Sequence, residues 1–399
     1  MRAERGRDDI ADVVRSLGPQ VLATMVRRGD DFASAEDAVQ EAIIEALRVW
    51  PQHPPSNPRG WLTTVASRRL IDARRSESAR RDREDVVAVE PERGVTEEGD
   101  DTLLLLFCCC HPDLSPASQI ALTLRAVGGL STRQIADAFF VPEATMAQRI
   151  SRAKLTVRSA TFTQPGDLAV VLRVLSLVYH AGHGRQNDLA EEAIRLTRQL
   201  THATPEPEAR GLLSLLMLQH ARLPARIDAK GHFVPMDEQD RSLWDAAEIV
   251  EAVAILQGAL AEERRGRYQI QAAIAALHAD AASAEETDWA QILDWYDELI
   301  ALSGDPDHQD PAAVLSRAIA VGHVMNASAG LAETERVTDV LGDRQQWHAV
   351  RAYLLEMAGE WKAAGEAYAR AAERANDRVE REHLIRRSAS ARSRALRDR

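Results

Sequence analysis

The chain has 399 residues, a formal net charge of −12, 45% hydrophobic and 28% charged residues, and 5% aromatics. That length gives room for two or three domains of about 100–200 residues, and Gly and Pro together number only 37, which excludes collagen-like and low-complexity classes. No apolar run approaches the roughly 18–20 residues that span a bilayer, and the opening residues lack the apolar core of a signal peptide, so a soluble, cytoplasmic protein is expected. The three cysteines, Cys108, Cys109 and Cys110, are adjacent and cannot build a disulfide framework. At the level of whole composition, the acidity argues against a nucleic-acid partner.

In chain order, Ile10, Val13, Val14, Leu17, Val21, Leu22 and Met25 recur at three- and four-residue steps and predict a first helix. A second is expected after Ser34 as N-cap, with Asp37 completing a capping box. Its expected buried stripe is Val39, Ile43, Ala46 and Leu47, opposite a polar face of Asp37, Gln40, Glu41 and Glu45. Pro51, Pro54, Pro55 and Pro58 break the chain before a third helix, from Trp61 to about Ser78. A short helix begins at Thr102 and gives way at Pro112, and Ser115 then caps a helix that stops at Gly128-Gly129. Ser131 to Phe139, a turn at Phe140-Val141-Pro142 and a basic helix from Glu143 to Arg158 make a helix-turn-helix. From about Asp167 onward helix follows helix, broken at prolines. The stretch Leu354 to Ala372 resembles a tetratricopeptide unit, with Ala363, Ala364, Gly365 and Ala367 where two helices must approach closely. The fold class is therefore all-α, ending in an α-solenoid-like domain, with an irregular helical bundle as the alternative.

Charge is not spread evenly. Residues 59–81 hold seven arginines against Asp72 and Glu77, 82–101 hold nine acidic residues against two arginines, and 144–163 hold four cations and no acid. Two basic segments thus flank an acidic stretch that reads as a linker. Any one basic cluster could equally be a solvated helix face, so motif context has to decide.

Enzyme chemistry finds no support: there is no phosphate-cradling glycine loop, no Gly-x-Ser-x-Gly elbow and no His-Glu-x-x-His run, and the expectation is a non-enzyme without cofactor. Cys108-Cys109-Cys110-His111 invites a metal reading, but adjacent thiols on a helix diverge by about 100° and no second cysteine pair exists, which favours buried packing and no metal.

An acidic-faced helix, a Trp-led basic helix, an acidic linker and a basic helix-turn-helix together resemble sigma-70 family factors of the extracytoplasmic-function group. Within that group the chain is similar to the subgroup with a tetratricopeptide-like extension. Asp100-Asp101-Thr102-Leu103 with Cys109-Cys110-His111-Pro112, Pro142 to Arg149, Asp240 to Asp245, Tyr268 to His278 and Thr287-Asp288-Trp289 carry that narrower likeness. The resemblance implies residues 1–81 as sigma region 2, 82–101 as linker, 102–163 as sigma region 4 and 164–399 as a helical extension. It implies core RNA polymerase and promoter DNA as partners. Asp37, Gln40 and Glu41 would meet a coiled coil of the polymerase clamp.

Trp61, Arg68, Arg69, Asp72, Arg74 and Arg75 would handle the −10 element, where opening a duplex needs cations for the backbone and a flat surface for an unstacked base. Related factors carry Asn-x-x-x-Asp-x-x-Arg there; Arg68 replaces the Asn here, and Trp61 is open to a core role as well. In the −35 domain, Thr145, Gln148, Arg149 and Arg152 would enter the major groove, with Ser131, Thr132, Arg133 and Lys154 on phosphates and Met146 and Ile150 in the core. The extension carries −10 and is not expected to add DNA affinity, although an intramolecular contact with the basic sigma domains would suit its charge. The rival reading is a helix-turn-helix regulator with a helical sensor, which would have no use for an acidic docking helix followed by a Trp-led basic one.

Overall fold

In the computed structural model, which describes residues 2–81, 102–139, 141–158, 167–181, 187–302, 310–375 and 377–397, every regular element is helical. The 3.6-residue periodicity is thus realised throughout, and among the described residues the sole β pairing is an isolated bridge between Ile227 and Phe233. The chain divides into two units, Met1–Pro205 and Glu206–Arg399.

The first unit opens with α1 (Arg2–Arg27), α2 (Phe32–Val49) and α3 (Pro58–Arg81), each packed on the other two. Val21, Leu22, Met25, Phe32, Val39, Leu62 and Leu70 are buried between them. The N-cap of α2 is Asp31, whose side chain accepts from the Ser34 N–H (3.2 Å), in place of the expected Ser34 and Asp37 capping box. The physical reason lies upstream: Gly29 takes a positive φ of 86°, ends α1 and delivers Asp31 in extended conformation one turn earlier than the sequence pattern suggested. Leu47, expected in the buried stripe, is exposed, while Val39 and Ala46 are buried.

Next come α4 (Thr102–Cys109), α5 (Pro116–Ala126), α6 (Thr132–Ala138) and α7 (Glu143–Arg158). Ser115 caps α5 and accepts from the Ser118 N–H, with Pro116 at the first helical position as the sequence predicts. Leu122, Leu124, Ile135, Met146, Ile150 and Val157 form the shared interior. All three cysteines are buried in it, and burial pushes the Cys108 and Cys110 thiols up to about 12. α8 (Leu168–Ala181) and α9 (Asn187–Ala203) form a hairpin laid against α4 and α5. By contact they belong to the first unit, so that unit runs to Pro205, beyond the expected domain end at residue 163. Periodicity marks a helix and its apolar stripe but not the neighbour that covers the stripe. The acidic segment 82–101 and Phe140 of the expected turn lie outside the described residues.

The second unit contains α10 (Pro207–His220), α11 (Ala246–Leu260), α12 (Arg267–Asp280), α13 (Trp289–Ala301), α14 (Pro311–Val324), α15 (Ala327–Glu335), α16 (Thr338–Leu341), α17 (Gln345–Met357), α18 (Trp361–Arg374) and α19 (Arg378–Arg397). Packing runs mainly between near neighbours in sequence, the pattern of a solenoid. The tetratricopeptide-like stretch becomes the α17–α18 hairpin, turned at Gly359 with φ 76°. Ala364, Gly365, Ala367, Ala371 and Ala372 are buried where α18 meets its neighbours, and Ser388 Oγ donates to the Gly365 carbonyl (2.7 Å). One long connection departs from the neighbour rule. The loop 221–245 closes on itself, with the Asp245 N–H donating to the Ala221 carbonyl (2.9 Å), yet it reaches α19 through a Phe233–His383 ring contact (5.2 Å) and an Arg387–Glu238 ion pair (2.5 Å).

Candidate functional site

The expected docking helix and the expected DNA-reading helix meet each other. Glu36 lies on the buried side of α2 and is wholly removed from solvent. An isolated carboxylate there would be costly, and two cations from the helix-turn-helix module meet it. Arg125 of α5 donates from Nε to Glu36 Oε1 (3.0 Å) and from Nη1 to the Leu130 carbonyl (3.1 Å). Lys154 of α7 pairs with Glu36 and also with Asp37 Oδ1 (2.6 Å). Parts of the sequence 89 and 117 residues apart thus share one charge cluster.

That cluster reassigns Lys154 in this conformation. Expected on DNA phosphates, its side chain is largely buried against α2, because the Glu36 carboxylate needs a second cation there. Asp37, expected to face polymerase, stays mostly exposed but holds one end of the same bond. Glu41 is exposed and Gln40 half-buried. Beside them, Arg69 of α3 bonds Glu45 (2.7 Å) and lies 3.6 Å from Glu41, so an expected −10 residue and an expected docking residue are also neighbours.

On α3, Arg68, Arg69, Asp72 and Arg75 are exposed, and the side chain of Arg74 lies outside the described residues. Trp61 is half-buried with its ring edge-on to Trp50, centroids 5.5 Å apart. The Trp50 contact gives Trp61 a packing partner, and its half-burial does not choose between the two sequence readings. On the helix-turn-helix, Thr145, Gln148 and Arg152 are exposed at helical steps that put them on one face, and Arg149 is half-buried. Met146 and Ile150 are buried, as expected. Ser131 is occupied as a cap: its hydroxyl accepts from the Gln134 N–H (3.2 Å) while Gln134 Oε1 accepts from the Ser131 N–H (2.9 Å). Thr132 is half-buried beside it, and Arg133 is exposed, 3.9 Å from Asp137. Among the described residues no group of three or more His, Cys, Asp or Glu is placed to hold a metal ion, and no helix is long and apolar enough to cross a membrane.

Sequence reasoning missed Glu36 and Arg125. A signal for the first existed: position 36 falls within the apolar stripe of Phe32, Ala35, Val39 and Ala42, and a charge in such a stripe calls for a buried partner. Nothing in the local pattern around Arg125 distinguishes it from a solvated arginine.

A three-helix module followed by a capped helix-turn-helix, joined through an acidic segment, defines a promoter-recognition protein of the sigma class. Residues 13–80 match sigma-70 region 2, residues 106–157 match sigma-70 region 4, and residues 167–260 match a family of unknown function, DUF6596. An uncharacterized protein of Rhizobium meliloti (strain 1021) is 39% identical over 389 residues, covering 89% of each chain. A probable ECF RNA polymerase sigma factor, SigI, of Mycobacterium tuberculosis is 33% identical over 180 residues, covering 42% of this chain and 61% of that one. No solved structure matches. The chain belongs to the sigma-70 family, in its extracytoplasmic-function group, as an alternative sigma factor that directs transcription initiation and carries a C-terminal extension.

Proposed function

We propose that this sigma factor docks on the polymerase clamp through Asp37, Gln40 and Glu41 of α2, handles the −10 element with Trp61 and the α3 arginines Arg68, Arg69, Arg74 and Arg75, and reads the −35 element with Thr145, Gln148, Arg149 and Arg152. It acts in the cytoplasm, catalyses nothing itself and needs no cofactor. The observation that carries this reading is the bond, inside the first unit, between α2 and α7. Lys154 holds Asp37 and Glu36, so a docking carboxylate and a DNA-side cation occupy each other in the chain on its own. Polymerase would compete for the acidic face, and release of α7 would free Lys154 for phosphate. This supports a factor that binds promoter DNA poorly until polymerase separates and spaces its two DNA-contacting modules. The C-terminal extension modulates the process through an intramolecular contact with the sigma domains.

Run-off transcription with purified core polymerase tests the assignment, and a promoter-specific transcript that depends on this chain is the expected result. Asp37→Arg with Glu41→Arg should weaken core binding by tenfold or more, about 1.4 kcal/mol. Unchanged binding would remove the docking assignment. Specific binding to promoter duplex by the chain alone, with no response to core polymerase, would favour a stand-alone regulator.

A further inference from the structure

The acidity of the extension conceals a helix of the opposite sign. Residues 206–382 carry a balance of −15, whereas 383–397 hold five arginines and no acidic residue. The first turns of α19 still mix signs, with Arg378 bonded to Glu382 (3.1 Å), and the mixing stops at His383. The helix turns Leu384, Ser388 and Ala391 inward against its neighbours. That fixes the other side. Arg386, Ser390, Ser393 and Arg397 follow at steps of four, three and four residues, share one face and are exposed. Arg392 and Arg394 are exposed on the flanks.

Not every arginine of the segment is available to a partner. Arg387 is spent on Glu238 and Glu356, and Arg394 lies over the Trp361 ring at 4.8 Å. A terminal solenoid helix needs a polar outer face for solubility alone, but mixed charge satisfies that need. A single sign along a whole face favours a polyanion. Arg386 and Arg397 are eleven residues apart, about 16 Å along the helix, a length over which B-DNA presents roughly ten phosphate charges. Serine hydroxyls between the arginines add donors of the kind that contact phosphate without reading sequence.

We infer that the outward face of α19 is an additional nucleic-acid contact, made to the phosphates of duplex DNA irrespective of sequence. It revises the expectation that the extension adds no DNA affinity, because net charge averaged over residues 164–399 hides where the cations stand. No base readout is involved, so the inference does not depend on the residues assigned to the −10 and −35 elements.

The test uses the full chain and a non-promoter duplex of about 30 base pairs, followed by fluorescence anisotropy from about 50 to 200 mM salt. Arg386→Ala with Arg392→Ala and Arg397→Ala should weaken binding about tenfold at low salt and reduce the steepness of log K against log salt by about 2–3. Ser390→Glu with Ser393→Glu, which leaves every arginine in place, should weaken binding in the same direction, and circular dichroism melts check that both variants fold. Unchanged affinity and slope in both variants overturn the inference. So does tighter, α19-dependent binding of a single-stranded RNA of equal length, which would make RNA the partner. Displacement of the duplex by polyglutamate at matched charge would overturn it too, in favour of an acidic protein. Run-off transcription on the same variants reads the sigma assignment separately, since initiation and non-promoter binding are scored on different templates.

Discussion

The two units of this chain are held together by different means. At the junction of α2, α5 and α7 the first unit relies on a buried carboxylate and two cations, Glu36 with Arg125 and Lys154. In the second unit, helices close on one another through small residues. A Cβ at Gly211 would stand 2.7 Å from the Gln269 backbone nitrogen, and one at Gly330 would stand 2.6 Å from the Ala318 carbonyl oxygen. Ion pairs exchange partners when a competing charge arrives, because water or another protein can take over each end. Backbone-to-backbone approach has no such substitute. The comparison separates a junction suited to opening from a stack suited to staying intact.

Breaking the charged junction should have the largest effect. Glu36→Ala leaves Arg125 without its carboxylate and Lys154 with Asp37 alone, and should cost about 3–4 kcal/mol of unfolding free energy in the first unit, measured by urea titration. A cost below about 1 kcal/mol would show that the junction is wet and the contrast between the units overstated. Acid should act on the other unit. Burial, first of all, and then Arg222 and Arg241, lower His278 from its ordinary 6.5 to about 4. The unfolded chain therefore takes up a proton below about pH 6.5 that the folded chain refuses. Stability is fully present above that pH, declines as pH falls toward 4 and levels off below it, with a total change of about 3 kcal/mol from this residue. His278→Gln should remove this share of the decline measured by thermal melts between pH 7 and 4, leaving the share of His383, which burial first and then Arg387 and Arg386 also lower to about 4. A profile that steepens instead would exclude the neutral, buried histidine.

A smaller change tests close approach directly. Gly211→Ala should destabilise the second unit by about 1–3 kcal/mol, because the Gln269 main chain cannot yield as a side-chain tip would. Equal stability by urea titration would mean that α10 and α12 can slide apart. The mildest test concerns the thiols, where no stability change is sought. With Cys108 and Cys110 raised from 9.0 to about 12, alkylation at pH 8 should run about a thousandfold slower than for a free thiol until urea opens the first unit. Rapid labelling of the native chain would show that α4 leaves its place in the core.

Helix positions, the capped helix-turn-helix and the burial of Met146 and Ile150 were legible in the sequence because they rest on local periodicity and on caps a few residues apart. The Asp31 cap was misread as Ser34, since both residue types are good caps and only the left-handed turn at Gly29 selects between them. The Glu36–Lys154 bond was not legible. Residue types and helical faces on α7 are the same whether Lys154 meets phosphate or a carboxylate 118 positions away, and only three-dimensional packing chooses. The same limit applies to α8 and α9, whose apolar stripes were plain but whose partners, α4 and α5, lie upstream in the chain.

The loop 221–245 changes how the second unit would come undone. A stack in which each helix touches only its neighbours frays from its free end, losing terminal repeats one at a time. Here the loop after α10 grips α19 at two points, through Phe233 on His383 and Glu238 on Arg387. Its Arg241 also donates to the His278 and Ala281 carbonyls at the end of α12 (2.6 and 2.5 Å). The first and last turns of the stack are therefore fastened like the ends of a belt. Peeling α19 away means opening the loop as well, so protease should find few clipped intermediates, and the second unit should melt in one step.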